Sequence, residues 1–527
     1  MSSELLRALQ DGALYNHPVQ GFQLVETHIS WVLLTGPYAY KIKKPMDFGF
    51  LNFTSLESRR QFCHKELELN RRLAPELYLE VLPITGTPEQ PQLGGEGTAF
   101  EYAIKMRQFD QEQLFDRLQL RQELTSAQID ELTDQIAQFH RTIAQADPAS
   151  EFGQPEQVFF PVQQNFDQIR PLLGDDKAAL IQLEQLQAWA QDSYQRLIPT
   201  FARRKAEGFI RECHGDIHLG NITLVDGKAT LFDCIEFNES FRWTDVMADL
   251  AFLIMDLEDR GLKRFANRVL NRYLEHTGDY GGLEVLNFYK AYRAMVRAKV
   301  ALFTKGSPGA SAEFIAEQDR KYRNYADLAE SYTFVPSRCL VITHGVSGSG
   351  KSTLSNQLVD RLGFVRLRSD IERKRLHGLA GLEQSGSELN GGIYGEDSTQ
   401  ATYQRLADLA EQLLRAGYAV IADATFLQAS QRALLEAVAE AQGVPYLILS
   451  CEADLSTIRD WISARQAARN DASEAGLEVL DQQLAQQQPL TPDEASHQVI
   501  VHTDRPDELE PLLDTLSRRL SMSVAAR

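Results

Sequence analysis

From Gly345 to Ser352 the chain reads G-V-S-G-S-G-K-S, the spacing G-x-x-x-x-G-K-S. Each part of that spacing suits a nucleoside triphosphate. Glycines let successive backbone N–H groups curl around phosphate oxygens, Lys351 brings a positive charge to the β- and γ-phosphates, and the Ser352 hydroxyl offers Mg²⁺ an oxygen ligand. The expected cradle is Gly345, Val346, Ser347, Gly348, Ser349, Gly350, Lys351, Ser352 and Thr353. The next predicted strand ends in Arg368-Ser369-Asp370. A carboxylate there lies in the crevice where open α/β sheets bind ligands. It can accept the proton of a hydroxyl as that hydroxyl attacks the γ-phosphate. Arg373 suits an acidic group on the acceptor. The competing structural role for Asp370 is to cap a helix from Ile371 to His377. Another apolar run, Ala419 to Ala422, ends in Asp423, in the Walker-B place, where a carboxylate supports Mg²⁺ through water or the Ser352 hydroxyl.

A second constellation stands upstream. His214-Gly215-Asp216-Ile217-His218-Leu219-Gly220-Asn221 spells H-G-D-x-H-x-x-N, and Asp233 follows in Leu-Phe-Asp-Cys-Ile-Glu. Carboxylate and amide oxygens on loops between short strands are what a hard cation on ATP phosphates asks for. These residues resemble the aminoglycoside phosphotransferase and choline kinase-like enzymes, relatives of the protein kinases. The resemblance implies Asp216 as the base that takes the acceptor's hydroxyl proton, with Asn221 and Asp233 as ligands of Mg²⁺. His214 and His218 orient the loop by hydrogen bonds. It also implies a strand-borne lysine paired with a helix glutamate. Ala39-Tyr40-Lys41 and Glu66 fit, with Lys43 on the same strand face and Glu68 as alternatives. The sequence departs from the kinase pattern in one place, because Glu26-Thr-His-Ile-Ser-Trp31 stands where a G-x-G-x-x-G loop would precede the lysine. That leaves open a pseudokinase role for this half. Asp245 and Asp249 read as helix anchors. Arg293 and Arg297, four apart, read as a solvated basic face with a substrate-anion contact as the rival.

Around the glycine-rich loop, S-D-x-x-R at Ser369–Arg373 resembles P-loop kinases of the polynucleotide kinase type and, more loosely, small-metabolite kinases such as gluconate kinase. The resemblance implies Asp370 as base, Arg373 as acceptor contact, and a lid helix whose arginines reach the transferring phosphoryl group. Arg465 and Arg469 share one face of the predicted helix there, and guanidinium groups suit phosphate oxygens.

These residues need positioning, and the periodicity predicts by what. Residues 1–110 read as a strand-rich small lobe: strand Ile29–Leu34, a turn at Thr35-Gly36-Pro37, strand Tyr38–Lys43, helix Ser55–Leu73, and strands Leu79–Ile84 and Phe100–Met106. Residues 111–335 read as a helical lobe interrupted at Cys213–Asn238. Residues 336–527 alternate strand and helix, which predicts a parallel sheet covered on both faces. The biased stretch Asp481–Gln488 reads as an exposed helix. The expected fold is an α+β protein-kinase-like domain over 1–335 joined to an α/β P-loop NTPase domain over 336–527, in the order of bacterial fusions of these two families.

With 527 residues, 43% hydrophobic and a formal net charge of −19, the chain reads as soluble and multidomain, not as an extended nucleic-acid binder. No apolar run approaches a membrane span, and the five scattered cysteines read as reduced, buried thiols of a cytoplasmic protein. The function expected is transfer of the ATP γ-phosphoryl group, with Mg²⁺, to a hydroxyl of a small molecule or a 5′-OH end. The rival is a regulatory, nucleotide-sensing ATPase. Acceptor and oligomeric state are not legible.

Overall fold

The hairpin expected around Gly36 forms between strands Ser30–Leu34 and Tyr38–Lys43, in the register Leu34 opposite Ala39 and Val32 opposite Lys41. The computed structural model describes residues 2–521 except 48, 50, 308, 335–336, 382, 384, 387–390 and 469–471. By internal contacts the chain forms two compact units, residues 1–161 with 198–256, and residues 162–197 with 257–527. This division falls inside the helical region, whereas the sequence motifs change near residue 335.

The first unit opens on a six-stranded antiparallel sheet. Its strands are β1 (Gln23–Glu26), β2 (Ser30–Leu34), β3 (Tyr38–Lys43), β4 (Tyr78–Thr87), β5 (Gln90–Leu93) and β6 (Glu101–Arg107), in the order β1-β2-β3-β6-β4-β5. Helix α1 (Leu56–Asn70) lies between β3 and β4 in sequence. Its N-cap Ser55 accepts a hydrogen bond from the Ser58 N–H. β3 is buried almost throughout because both faces are covered. Tyr40 and Ile42 pack with Leu5, Leu9 and Ile84 on one side, and Ala39 packs with Cys63, Leu77 and Tyr78 on the other. The two-residue period therefore sends Lys41 and Lys43 to the side of α1, into a dry interior.

In the same unit α2 (Ser126–Thr142) starts at a capping box between Thr125 and Gln128. Strands β7 (Ile222–Val225) and β8 (Lys228–Leu231) pair antiparallel across the turn Asp226-Gly227. The H-G-D-x-H-x-x-N loop leads into β7, Asp233 follows β8, and α3 (Val246–Asp259) begins soon after.

The second unit holds helices α4 (Lys263–Thr277), α5 (Leu283–Lys305) and α6 (Ala312–Ser331). Arg293, expected on a solvated face, is buried, because apolar residues cover most of the circumference of α5. A five-stranded parallel sheet follows. Its elements are β9 (Leu340–His344), α7 (Lys351–Leu362), β10 (Val365–Arg368), α8 (Ser369–Leu376), α9 (Glu396–Arg415), β11 (Val420–Asp423), α10 (Ala429–Gln442), β12 (Tyr446–Glu452), α11 (Leu455–Ala468), α12 (Leu477–Gln486), β13 (Gln498–His502) and α13 (Leu509–Leu520). Strand order is β10-β11-β9-β12-β13. Val341, Ile421 and Leu449 from the sheet pack with Leu354 and Leu358 of α7 and Leu513 and Leu516 of α13. Near-continuous apolar runs in β9, β11 and β12 are what a sheet buried on both faces requires. The loop Gly345–Gly350 leaves the carboxyl end of the central strand β9, where such sheets bind ligands.

Candidate active sites

In the first unit, buried charge is concentrated beneath β3. Lys41 Nζ donates to Glu66 Oε1 at 2.7 Å and to Asp233 Oδ1 at 2.5 Å. Lys43 Nζ donates to Glu66 Oε2 at 2.6 Å and to Glu236 Oε1. The sequence left Lys41 and Lys43 as alternatives; the structure brings both to Glu66. Glu68, the weaker alternative, pairs instead with Lys65 at the surface. Burial alone would raise the Glu66 carboxyl, but the two ammonium groups outweigh it and hold the carboxyl at about 2. Burial likewise opposes the Lys41 ammonium, yet the carboxylates of Asp233 and Glu66 carry it well above its ordinary value. Three carboxylates thus face two ammonium groups. The excess negative charge shows at Glu236, whose carboxyl is raised by burial and by neighbouring Glu66.

Asp233 adopts φ 62°, a left-handed conformation that a non-glycine residue holds only when its surroundings impose it. Here they do. Its N–H donates to the Tyr78 hydroxyl, and the next N–H, on Cys234, donates to Asn70 Oδ1 at 2.8 Å. Asn70 ends α1, the helix that carries Glu66, and its Nδ2 donates back to the Glu66 carbonyl. One side chain therefore ties the Asp233 loop to the Glu66 helix. Asn221 Nδ2 donates to Asp216 Oδ2 and to the Asp216 carbonyl, both at 3.0 Å. His214 Nε2 meets the Phe232 carbonyl at 3.0 Å, and His218 Nε2 stands 3.5 Å from Asp216 Oδ2. Both histidines hold the loop, as expected.

Asp249 on α3 accepts from the His214 N–H at 3.0 Å and the Gly215 N–H at 2.8 Å, and faces His140 Nε2 at 3.1 Å. Asp245 pairs with Arg204 at 2.6 and 2.8 Å. His140, Cys213 and Asp249 lie close enough to share a cation. However, Asp249 is committed to backbone N–H groups and burial pushes the Cys213 thiol far up, so the trio acts as a dry clamp on the motif loop. Asn221 and Asp233 offer hard oxygen donors, and the local excess of negative charge fits Mg²⁺.

In the second unit the glycine-rich loop closes as its spacing predicts. Gly345 has φ 142° and a Cβ there would meet the Cys451 carbonyl at 2.8 Å; Gly350 has φ 80° and a Cβ would lie 2.7 Å from Thr503 Cβ. Both positions require glycine. Lys351 Nζ donates to the Val346 carbonyl at 2.6 Å, and burial holds the ammonium below its ordinary value. Lys351, Ser352, Asp370, Arg373, Asp423 and Arg465 line one cavity of about 2270 Å³, larger than a single small-ligand site of ~300–1,000 Å³.

Asp370 is the second residue of α8, whose N-cap position is Arg368. The helix starts two residues earlier than expected, so Asp370 does not act as its cap. Asp423 Oδ2 accepts from Ser355 Oγ at 2.8 Å, one helical turn beyond Ser352. A serine hydroxyl and a carboxylate on one wall fit Mg²⁺ by donor chemistry. Arg373 Nη1 donates to the Ile393 carbonyl and to Thr399 Oγ1, and its guanidinium faces the Tyr394 ring at 5.2 Å. Its buried Nε has no partner among the described residues. Arg465 Nη2 donates to the Ala475 carbonyl at 2.7 Å. Arg469 lies outside the described residues.

Sequence reasoning missed three participants. Glu236 completes the Lys43 pair; its only signal was its place three residues after Asp233. Gln483 Oε1 accepts from the Ser347 N–H of the phosphate loop at 2.7 Å, which corrects the expectation that Asp481–Gln488 is merely an exposed helix. The third is a buried chain behind Asp423, taken up below.

Residues 50–286 match the model of the phosphotransferase enzyme family, and residues 340–490 match that of an AAA domain. An uncharacterized protein of Mycobacterium tuberculosis is 29% identical over 468 residues, covering 88% of this chain and 91% of that protein. Among solved structures, the ethanolamine kinase of Plasmodium vivax is similar over 61% of this chain and 86% of its own, at 11% identity and TM-score 0.37. The adenylylsulfate (APS) kinase of Mycobacterium tuberculosis is similar over 34% of this chain and 99% of its own, at 21% identity and TM-score 0.26. By the two family models and the sheet topologies, the N-terminal domain is protein-kinase-like with an antiparallel sheet, and the C-terminal domain has the P-loop fold with a five-stranded parallel sheet. Among the described residues no helix is long and apolar enough to cross a membrane.

Proposed function

We propose that the chain is an ATP-dependent phosphotransferase with two nucleotide-binding modules, 1–335 and 336–527, moving the γ-phosphoryl group to a hydroxyl of a small molecule or a 5′-OH end. The observation that carries this is the meeting of Lys351, Ser352, Asp370 and Asp423 on one cavity. A phosphate cradle alone would serve any nucleotide-driven process. A carboxylate without a hydrogen-bond partner among the described residues, on the same wall, favours transfer to an acceptor.

In the P-loop module Lys351 leaves the Val346 carbonyl for the phosphates. Asp370 takes the acceptor's proton, the acceptor oxygen bonds the γ-phosphorus, and the bond to ADP breaks. Arg373 and Arg465 face the acceptor and the phosphoryl group. In the first module Asp216 takes the base role, and Lys41, held by Glu66, faces the phosphates. Ser352 with Asp423, and Asn221 with Asp233, would hold Mg²⁺, which supplies positive charge to the phosphate oxygens.

A second reading has its own observation. Lys41 sits on Asp233, the metal-facing carboxylate, which favours a first module that senses nucleotide without turning over. Incubating the full chain with γ-labelled ATP and a metabolite extract tests both. Labelled product lost in Asp370→Asn and Lys351→Ala supports phosphotransfer by the P-loop module. Further loss in Asp216→Asn supports two active modules. Acceptor-independent ATP consumption that Asp370→Asn leaves intact would refute the kinase reading.

A further inference from the structure

Helix α4 lies within the stretch matched by the phosphotransferase family model, yet it is built into the P-loop unit. β10 is the edge strand of the parallel sheet. Asn271 of α4 caps that edge: its Oδ1 accepts from the Arg366 N–H at 2.7 Å and its Nδ2 donates to the Phe364 carbonyl at 2.9 Å. One carboxamide thus satisfies two backbone groups that an edge strand leaves open. Asn267 Nδ2 donates to the Asp360 carbonyl, and Arg268 reaches the Asp360 carboxylate. α4 is thereby pinned along α7 and β10.

One turn further along α4 is Glu275. Its Oε1 accepts from Arg366 Nε at 2.9 Å and from Nη2 at 2.6 Å. The same buried guanidinium turns its Nη1 to Ser355 Oγ at 3.1 Å and Asn356 Oδ1 at 2.5 Å. Ser355 Oγ in turn donates to Asp423 Oδ2 at 2.8 Å. A helical serine ordinarily gives its proton to a backbone carbonyl of the preceding turn, and Ser352 O is available at 3.1 Å. Here a guanidinium on the hydroxyl oxygen polarises the O–H, and a carboxylate is the stronger acceptor.

We infer that Glu275, Arg366 and Ser355 form a positioning relay that fixes the Asp423 carboxylate for the P-loop metal site, making α4 a working part of that site. The inference rests on the P-loop reading above. With Oδ2 anchored by Ser355, the carboxylate of Asp423, which lines the cavity, is held in one orientation. Glu275 acts through Arg366, which it holds at two nitrogens. An Arg366→Lys substitution cannot reproduce the relay, since one ammonium lacks the fork that serves Glu275, Asn356 and Ser355 together.

The test uses the full chain and a fluorescent ATP analogue, reading the Mg²⁺ concentration for half-maximal binding in the component that Lys351→Ala removes. Glu275→Gln and Ser355→Ala should each raise that concentration about tenfold, while binding without Mg²⁺ changes less than about twofold. Glu275→Gln with Ser355→Ala should do no more than the larger single change, because both interrupt one chain. Asn271→Ser, which loosens the backbone cap at Arg366 and Phe364 but removes no side-chain link of the relay, should lower the thermal midpoint and leave the Mg²⁺ requirement in place. Wild-type Mg²⁺ dependence in both single variants, additive effects, or an equal loss with and without Mg²⁺ would each overturn the relay. Nucleotide binding that survives Lys351→Ala at full strength would overturn the P-loop reading instead.

Discussion

Lys43 and Lys41 both reach Glu66, but they should fail differently when removed. Lys43 is fully buried between Glu66 and Glu236, neither of which meets solvent appreciably. Lys43→Met keeps the volume and deletes one charge, leaving one ammonium among three carboxylates. The surplus carboxylate then takes up a proton. For a carboxyl with an ordinary value near 4.5, staying neutral at pH 7 costs 1.36 kcal/mol per unit over 2.5 units, about 3 kcal/mol. This agrees with the ~3–5 kcal/mol of a broken buried pair. The sign with pH follows. The folded variant holds a proton that the folded wild type releases at a lower pH. The deficit is therefore largest at and above neutrality and shrinks as pH falls toward 4.5. Lys41 differs because Asp233, its second partner, is 41% exposed at the side chain and can rehydrate, while Lys43 still holds Glu66. Lys41→Met should cost about 1.5–3 kcal/mol, the worth of the one charged hydrogen bond to Glu66 that water does not replace, and abolish nucleotide binding at this site. Hydrogen exchange in peptides spanning β3 and β6 reads the stability of this sheet by itself. A Lys41→Met loss exceeding that of Lys43→Met, or a Lys43→Met loss that does not shrink between pH 7 and 5, would refute the charge accounting.

Two further outcomes follow from the P-loop unit. His344 ends β9, and burial, with Arg432 and Lys351 nearby, lowers its imidazole from 6.5 to about 4. The unfolded chain takes up a proton below pH 6.5 that the folded chain refuses, so stability should fall by at most about 3 kcal/mol between those values and be flat above them. Exchange protection of β9 measured at pH 7 and 5 in the wild type and in His344→Gln checks this; equal slopes would sink it. Gln483→Ala frees the Ser347 N–H that the glutamine occupies. If the phosphates claim that donor, nucleotide affinity should rise about fivefold, the worth of one neutral hydrogen bond of ~1 kcal/mol. Titration showing weaker binding would make Gln483 a nucleotide contact instead of a competitor.

Much of this was legible in the sequence because the signals were local. Two-residue alternation and the Gly36-Pro37 turn gave β2 and β3, and the strand–loop–helix context of Gly345–Ser352 gave the phosphate cradle. H-G-D-x-H-x-x-N marked a loop in which His214, His218 and Asn221 all reach Asp216 within eight residues. What escaped was the charge that arrives from afar. Glu236 pairs with Lys43 across 193 residues, and Glu275 reaches Arg366 across 91. Asn271 looks like any polar residue on an amphipathic helix. Its role as an edge cap exists only once β10 is known to be the edge. Arg293 failed for a related reason, since a four-residue spacing of arginines says nothing about how widely a helix is buried.

The two lysines proposed to meet phosphate stand in opposite electrostatic states. Lys41 is over-neutralised: two carboxylates hold its ammonium well above the ordinary value, in a pocket with one negative charge to spare. Lys351 has only a carbonyl within hydrogen-bond reach among the described residues, and burial pushes its ammonium down. Adding phosphate charge to the second site relieves a buried cation, whereas adding it to the first worsens an existing surplus unless a cation enters with it. Nucleotide alone should therefore find the P-loop readily. Under the proposed function the first site would therefore take up nucleotide together with a cation, which Asn221 and Asp233 would hold and whose charge would offset the surplus around Lys41.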